Sequence, residues 1–187
     1  MTEGIILAGG KSTRMKTNKL LLECNGHPII WHTINGMKPF VSRIFIVTGR
    51  YDKELREALK DLDITFVYNE NYEKGMFSSV LKGVKETSED FLVLPGDCPF
   101  VSSGTIKKIL NGNGDIRYPK YQNQEGHPLY ISKKYKEELL NFGLDNNLKS
   151  FRDSKNYEII DVEDQNIIIN LNEFLDYEHI KLTEKGR

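Results

Sequence analysis

The sequence predicts an α/β fold with a mostly parallel sheet. Strand-like apolar runs alternate with helix-like segments along the chain, the pattern left when each strand is followed by a helix. The first run stops at a glycine pair followed by a cluster of cations, a strand–turn arrangement suited to an anionic ligand. The length of 187 residues suits one well-packed domain, 1–187, rather than two.

Residues 4 to 8 form the first strand, with Ile5, Ile6 and Leu7 as its apolar run. Pro28 fits the first turn of a helix carrying Ile29, Ile30, Trp31 and Ile34. Residues 43 to 48 read as a buried second strand. Asp52 is expected to cap the next helix, whose Leu55 and Leu59 share one face. A third strand covers residues 64 to 68. Gly75 precedes a helix with Phe77, Leu81 and Val84 on one side, and residues 91 to 94 form a fourth strand. Ser102 or Ser103 caps a helix holding Ile106, Ile109 and Leu110, which ends at the N-G-N-G of residues 111 to 114. Residues 116 to 121 and the end of E-G-H-P-L-Y-I at 125 to 131 supply further strands. Helices are expected after Ser132, around Asn147 to Asp153, and from Glu173 to Leu182.

Composition excludes several classes. Charged residues make up 28% and hydrophobic ones 39%, with a net charge of −1, so no overall field draws in nucleic acid. No apolar run approaches the roughly 20 residues of a membrane helix. The start M-T-E-G has no basic region of a secretory signal, and a cytoplasmic location is the expectation. Cys24 and Cys98 are the only cysteines and read as reduced and buried. The histidines at 27, 32, 127 and 179 lack the spacing of a metal site.

Chemistry concentrates at residues 5 to 21. After the strand come Gly9 and Gly10, where a backbone without Cβ atoms can approach a ligand, and then Lys11, Arg14, Lys16 and Lys19. This is not a Walker loop, because that motif asks for a glycine where Ile5 stands. Nor is the dinucleotide pattern G-x-G-x-x-G present. A second candidate is Asp97 in P-G-D-C-P-F. A carboxylate on a rigid turn at a strand end suits Mg²⁺, which prefers oxygen ligands.

L-A-G-G-K-S-T-R-M-x-x-x-K-L-L at 7 to 21 resembles the signature of the MobA/MocA-like nucleotidyltransferases, which attach a nucleotide to the molybdenum cofactor. Related signatures occur in sugar-phosphate and methylerythritol-phosphate nucleotidyltransferases. The resemblance implies a single Rossmann-like domain of the nucleotide-diphospho-sugar transferase type, with helices on both faces of the sheet. It implies that Leu7, Ala8, Gly9 and Gly10 border the nucleotide and that Arg14 and Lys19 bind its triphosphate at the reacting phosphorus. G-M-F-S-S-V resembles the family's segment that holds base and ribose, which adds Gly75 and Ser79, with Asn69 at the strand end before them. L-P-G-D-C-P-F resembles the segment whose aspartate holds the catalytic metal, so Asp97 is the expected Mg²⁺ ligand. E-G-H-P resembles an element bordering the acceptor, implying roles for Gly126, His127 and Pro128. L-D-N-N-L-K-S-F resembles the family's G-D-x-G-x-R-x-L, with Lys149 in place of the arginine.

The resemblance therefore implies transfer of a nucleoside monophosphate from a triphosphate to a phosphorylated acceptor. CTP stands slightly ahead of GTP. Molybdopterin is the first acceptor, a sugar phosphate or other phospho-alcohol the alternative, and a molybdoenzyme a conceivable partner. Asn170 and Asn172 stand where relatives carry two acids, which keeps open a degenerate nucleotide-binding accessory protein.

Overall fold

The computed structural model describes residues 1–10 and 18–169. Arg14, its neighbours Lys11 and Lys16, Asn170, Asn172 and the helix expected at 173 to 182 lie outside the described residues.

The main sheet contains β1 (Thr2–Ala8), β4 (Ile44–Thr48), β5 (Thr65–Tyr68), β6 (Asp90–Pro95), β7 (Ile116–Tyr121), β8 (Gln124–Glu125), β9 (Leu129–Ile131) and β10 (Glu158–Asp161). Its order is β10-β7-β9-β6-β1-β4-β5, with β8 paired to β7. β6, β1, β4 and β5 are mutually parallel, whereas β9 is antiparallel to both β6 and β7. The expected mostly parallel sheet is present, with β9 and β8 as its reversed strands. A small hairpin, β2 (Glu23–Cys24) and β3 (His27–Pro28), turns at Asn25 and Gly26, whose φ values of 49° and 77° fit a two-residue hairpin turn.

Helices cover both faces because β1, β4 and β6 are apolar on both sides. Ile6, Ile46 and Leu92 face α1 (Ile29–Met37), α2 (Asp52–Ala58) and α4 (Ser103–Leu110) through Ile30, Leu55 and Ile106. Ile5, Val47 and Val93 face the other way, against Phe77, Val80 and Val84 of α3 (Met76–Glu86). Leu139 of α5 (Lys136–Leu140) and Phe151 of α6 (Leu148–Asp153) extend that layer. Every residue of β4 is buried, as a strand covered on both faces requires.

Three local expectations change. Asp52 is the first residue of α2, not its cap. Its carboxylate instead accepts from Thr48 Oγ1 at 2.5 Å and pairs with Arg56 one turn on. The segment after Ser132 begins as a 3₁₀ turn, Lys133–Tyr135, before α5. Ser102, rather than Ser103, caps α4 by accepting from Thr105 N.

The seat of α3 on the sheet is close. A Cβ on Gly83 would lie 2.6 Å from Ile5 Cγ2 and 2.9 Å from Val47 Cγ2. Overpacking of about 1–3 kcal/mol opposes a helix-propensity gain of at most about 1 kcal/mol. Gly83→Ala is expected to lower stability by about 1–2 kcal/mol, read from urea unfolding midpoints at unchanged slope.

Candidate active site

The site lies at the carboxyl ends of β1, β5 and β6, where ligands collect in open α/β sheets. Three segments converge there.

β1 ends at Ala8 and runs into Gly9 and Gly10. A Cβ on Gly9 would lie 2.8 Å from Ser79 Oγ, so the absent side chain lets α3 close against the turn. Gly10 borders open space.

β6 delivers the P-G-D turn. Pro95 ends the strand opposite Leu7, and the Gly96 N–H donates to the Leu7 carbonyl at 2.9 Å, carrying the ladder one residue further. Thr33 of α1 donates from Oγ1 to the Gly96 carbonyl at 2.8 Å. A Cβ on Gly96 would sit 3.1 Å from the Leu7 carbonyl oxygen. Asp97 is thereby fixed above the end of β1.

The third segment follows β5. Asn69 is 1% exposed, and its amide donates to Ser78 Oγ at 2.9 Å and Ser79 Oγ at 3.0 Å, while its Oδ1 accepts from Asn71 N. Ser78 returns hydrogen bonds to the carbonyls of Asn71 and Gly75, so it clamps the loop and is not an N-cap. Gly75, at φ 100°, occupies the cap position of α3. Ser79 accepts from Asn69, a bond that does not use its own hydroxyl proton. Gly49, just after β4, lets Tyr72 approach, since a Cβ there would meet Tyr72 Cβ at 2.7 Å.

Between these segments opens a cleft of about 400 Å³. Leu7, Gly9, Gly10, Lys19, Gly75, Ser79 and Asp97 all line it. Lys19 Nζ donates to Asp97 Oδ2 at 2.5 Å, with side-chain exposures of 19% and 14%. Partial burial strengthens such a pair over one in free water. Ala8 and Asn69 are buried behind the cleft wall. Cys98 is buried beside the pair. Burial pushes its thiol up, and the charge of Asp97 adds to that while Lys19 opposes it, so it stays a protonated core residue and no nucleophile.

The G-H-P loop closes the neighbouring side. Gly126 N donates to Pro119 O and His127 N to Ile167 O, both at 3.0 Å, and the His127–Pro128 peptide is cis. Burial lowers the His127 pKa against the opposing charge of Asp97, so the ring is neutral at pH 7 and within electrostatic reach of the carboxylate. Lys149 stands apart from the cleft, well exposed, pairing with Glu125 at 3.3 Å. Arg152, one turn on, is the buried cation of α6. It bonds Glu125 at 3.0 Å and lies 4.0 Å over the Tyr118 ring. Sequence reasoning also missed Tyr72, Glu73 and Met76 on the cleft lip. Gly49 after a strand and Tyr72 beside a glycine helix start were the available signals.

The model of the MobA-like NTP transferase domain matches residues 4–159. The chain belongs to this family. The molybdenum cofactor cytidylyltransferase of Escherichia coli (strain K12) is 33% identical over 133 residues, 69% of each chain. The bifunctional protein GlmU of Buchnera aphidicola subsp. Schizaphis graminum is 36% identical over 113 residues, 57% of this chain but only 24% of GlmU, so the match spans about a quarter of that relative. A nucleotidyl transferase from Methanothermobacter thermautotroptrophicus has the same fold, with a TM-score of 0.83, 24% identity and coverage of 98% and 99%. The fold is also that of a Mycobacterium tuberculosis protein solved in complex with manganese, with a TM-score of 0.75, 19% identity and coverage of 96% and 97%. Among the described residues of this MobA-like chain, no three His, Cys, Asp or Glu side chains cluster to hold a metal, and no helix is long and apolar enough to cross a membrane.

The loop bearing Ile167 is held by Asp164, which accepts from Ser102 N and Thr105 Oγ1, each at 2.8 Å, and from Asn166 N at 3.1 Å. Burial acts to raise its pKa, but these hydrogen bonds outweigh it and hold the carboxyl below its ordinary value. Its stabilising contribution is therefore complete above the unfolded value near pH 4 and is lost as pH falls through the lower folded value. Asp164→Asn is expected to cost about 1–2 kcal/mol at pH 7. Urea midpoints measured from pH 7 to 2.5 are expected to show the two proteins converging only below about pH 4.

Proposed function

We propose that the protein transfers a nucleoside monophosphate from a nucleoside triphosphate to a phosphate of a phosphorylated small molecule, releasing pyrophosphate. CTP is the favoured donor and molybdopterin the favoured acceptor. The observation that carries this reading is the Lys19–Asp97 pair in a cleft between the glycine turn and the Ser79 end of α3.

The chain's residues divide the work. Gly9 and Gly10 let the phosphates approach the backbone. Lys19, with Arg14 from the same segment, supplies positive charge at the α-phosphorus, where charge grows as the acceptor oxygen bonds and the bridging P–O bond to pyrophosphate breaks. Ser79 offers its hydroxyl proton to base or ribose, positioned by Asn69. The G-H-P loop, next to Asp97, borders the acceptor.

Asp97 fits a divalent cation, because its carboxylate already holds the ammonium of Lys19 at 2.5 Å. One carboxylate is few for an all-protein site but is enough for Mg²⁺, which completes its shell with substrate phosphates and water. Such an ion would neutralise charge on the phosphate oxygens.

The base preference rests on Gly9 and Ser79. The space a missing methyl leaves for a purine is taken up by the Ser79 hydroxyl, 2.8 Å from where that methyl would be. This favours the smaller cytosine, the base named for the Escherichia coli relative.

Thermal unfolding with CTP, GTP and ATP, with and without Mg²⁺, tests the donor. A ligand at about 100 times its Kd stabilises by about 2.7 kcal/mol, and the expected result is a Mg²⁺-dependent rise with CTP. No shift with any triphosphate at millimolar concentration would reject the reading. In turnover, Lys19→Ala is expected to lower kcat by about 10²-fold or more. Near wild-type turnover would remove Lys19 from the chemistry.

A further inference from the structure

Among the described residues that line the cleft, Tyr72 is the only aromatic one. It opens the 3₁₀ turn Tyr72–Lys74, between β5 and α3. Two backbone hydrogen bonds fix that turn. Tyr72 N donates to the Asn69 carbonyl at 3.2 Å, and Gly75 N donates to the Tyr72 carbonyl at 3.3 Å. The root of the side chain is wedged as well. A Cβ on Gly49 would lie 2.7 Å from Tyr72 Cβ, 2.8 Å from Tyr72 Cγ and 3.0 Å from the Gly9 carbonyl oxygen. Tyr72 thus leaves the backbone where the end of β4 meets the glycine turn, in a space that exists because residue 49 has no side chain.

Beyond its root the ring takes no part in the core. Tyr72 is half-buried and belongs to none of the hydrophobic clusters. Other tyrosines are packed: Tyr118 and Tyr130 lie under arginines, and Tyr135 meets the Phe151 ring. Among the described residues, the Tyr72 ring meets no cation or second ring, and its hydroxyl makes no hydrogen bond. A ring pinned at its root and bordering a cleft suits a flat, polarizable partner, which stacks on an aromatic face.

Charge sorts the two sides of the cleft. In the sheet, β6 and β4 flank β1 on opposite sides. Asp97, paired with Lys19, follows β6, whereas Tyr72 stands against Gly49 after β4. The Gly9–Gly10 turn, after β1, lies between them. Beside Tyr72 the lining continues with Glu73 and Met76. Glu73 makes no ion pair among the described residues, so its carboxylate opposes a phosphate there. Met76 is 65% exposed, the one large exposed hydrophobic side chain that lines the cleft. An aromatic ring, an apolar neighbour and an unneutralised carboxylate suit the uncharged nucleoside, while the lysine beyond the turn suits the phosphates.

We propose that Tyr72 is the stacking platform for the nucleobase of the donor nucleotide. This rests on the nucleotidyl-transfer reading and deepens it by naming the residue that holds the base by its face. Every base has a π face, so Tyr72 supplies affinity for a nucleotide, while hydrogen bonds to the base edge choose among nucleotides.

Calorimetric titrations at fixed Mg²⁺ with CTP, GTP and inorganic tripolyphosphate compare wild type, Tyr72→Phe and Tyr72→Leu. For the nucleotide that wild type binds more tightly, Tyr72→Leu is expected to weaken Kd by about 5-fold or more, and Tyr72→Phe by less than about 2-fold. Tripolyphosphate has no base and is expected to bind all three proteins equally. In wild-type protein with ¹³C-labelled tyrosine, the ring signals that vanish in Tyr72→Phe should show nuclear Overhauser contacts to the base protons of the bound nucleotide. That readout does not depend on the leucine variant folding. Unchanged affinity in Tyr72→Leu, an equal loss for tripolyphosphate, or no ring-to-base contact at saturation would overturn the platform while leaving nucleotidyl transfer standing. If wild type binds neither CTP nor GTP, both fall together.

Discussion

The site depends on the register between β1 and β6. Leu7 stands opposite Pro95, and in a parallel ladder its carbonyl accepts from the residue after its partner. That residue is Gly96, whose N–H donates to the Leu7 carbonyl at 2.9 Å. That one bond sets the glycine turn and Asp97 side by side. Shifting the register by one residue would turn Ile5 and Ile6 to opposite faces and unseat both helix layers. The apolar core therefore protects the alignment of the polar site.

Around that bond, polar groups near the cleft are largely committed to shaping it. Thr33 holds the Gly96 carbonyl, and Asn69 holds Ser78 and Ser79. Thr48 bonds the first residue of α2, and its carbonyl accepts from Asn69 N. Each commitment removes a group that would otherwise have to be desolvated when a ligand binds. The side chains of Lys19, Asp97 and Ser79 line the cleft. Pairing Lys19 with Asp97 keeps both charges satisfied in a partly buried place.

Much of this was legible in the sequence because it follows from local rules. An apolar run, a glycine pair and a following lysine fix a strand, a turn and a cation whatever packs around them. P-G-D reads as a turn with a carboxylate on it. Gly75 before an amphipathic run reads as a helix start. What was not legible depends on partners distant in the chain. The direction of β9 cannot be read from Leu129, Tyr130 and Ile131, since a short apolar run is the same in either sense. Asn69 looks like a ligand residue from its place at a strand end, yet hydrogen bonds to residues up to ten positions away consume its amide. Lys149 matched a motif position, while the buried cation of that helix is Arg152, seated by Tyr118 and Glu125 from elsewhere in the chain.

Close glycine contacts also hold the cleft. A methyl group on Gly9 would lie 2.8 Å from Ser79 Oγ and one on Gly96 3.1 Å from the Leu7 carbonyl oxygen, while Gly10 borders open space. The G-H-P loop is tied as closely, since a Cβ on Gly126 would lie 2.5 Å from the Ile167 carbonyl oxygen, and a side-chain network stands beyond it. Arg152, Glu125 and Lys149 form a side-chain network whose outer members are well exposed, and exposed pairs of this kind are individually weak. Substitutions at exposed Lys149 reshape a surface at little cost in stability, whereas substitutions at Gly96 crowd the ladder itself. The floor of the cleft is thus constrained by the fold, and the exposed surface beyond the G-H-P loop by its side chains. That surface can vary without altering the register that aligns Leu7 with Pro95.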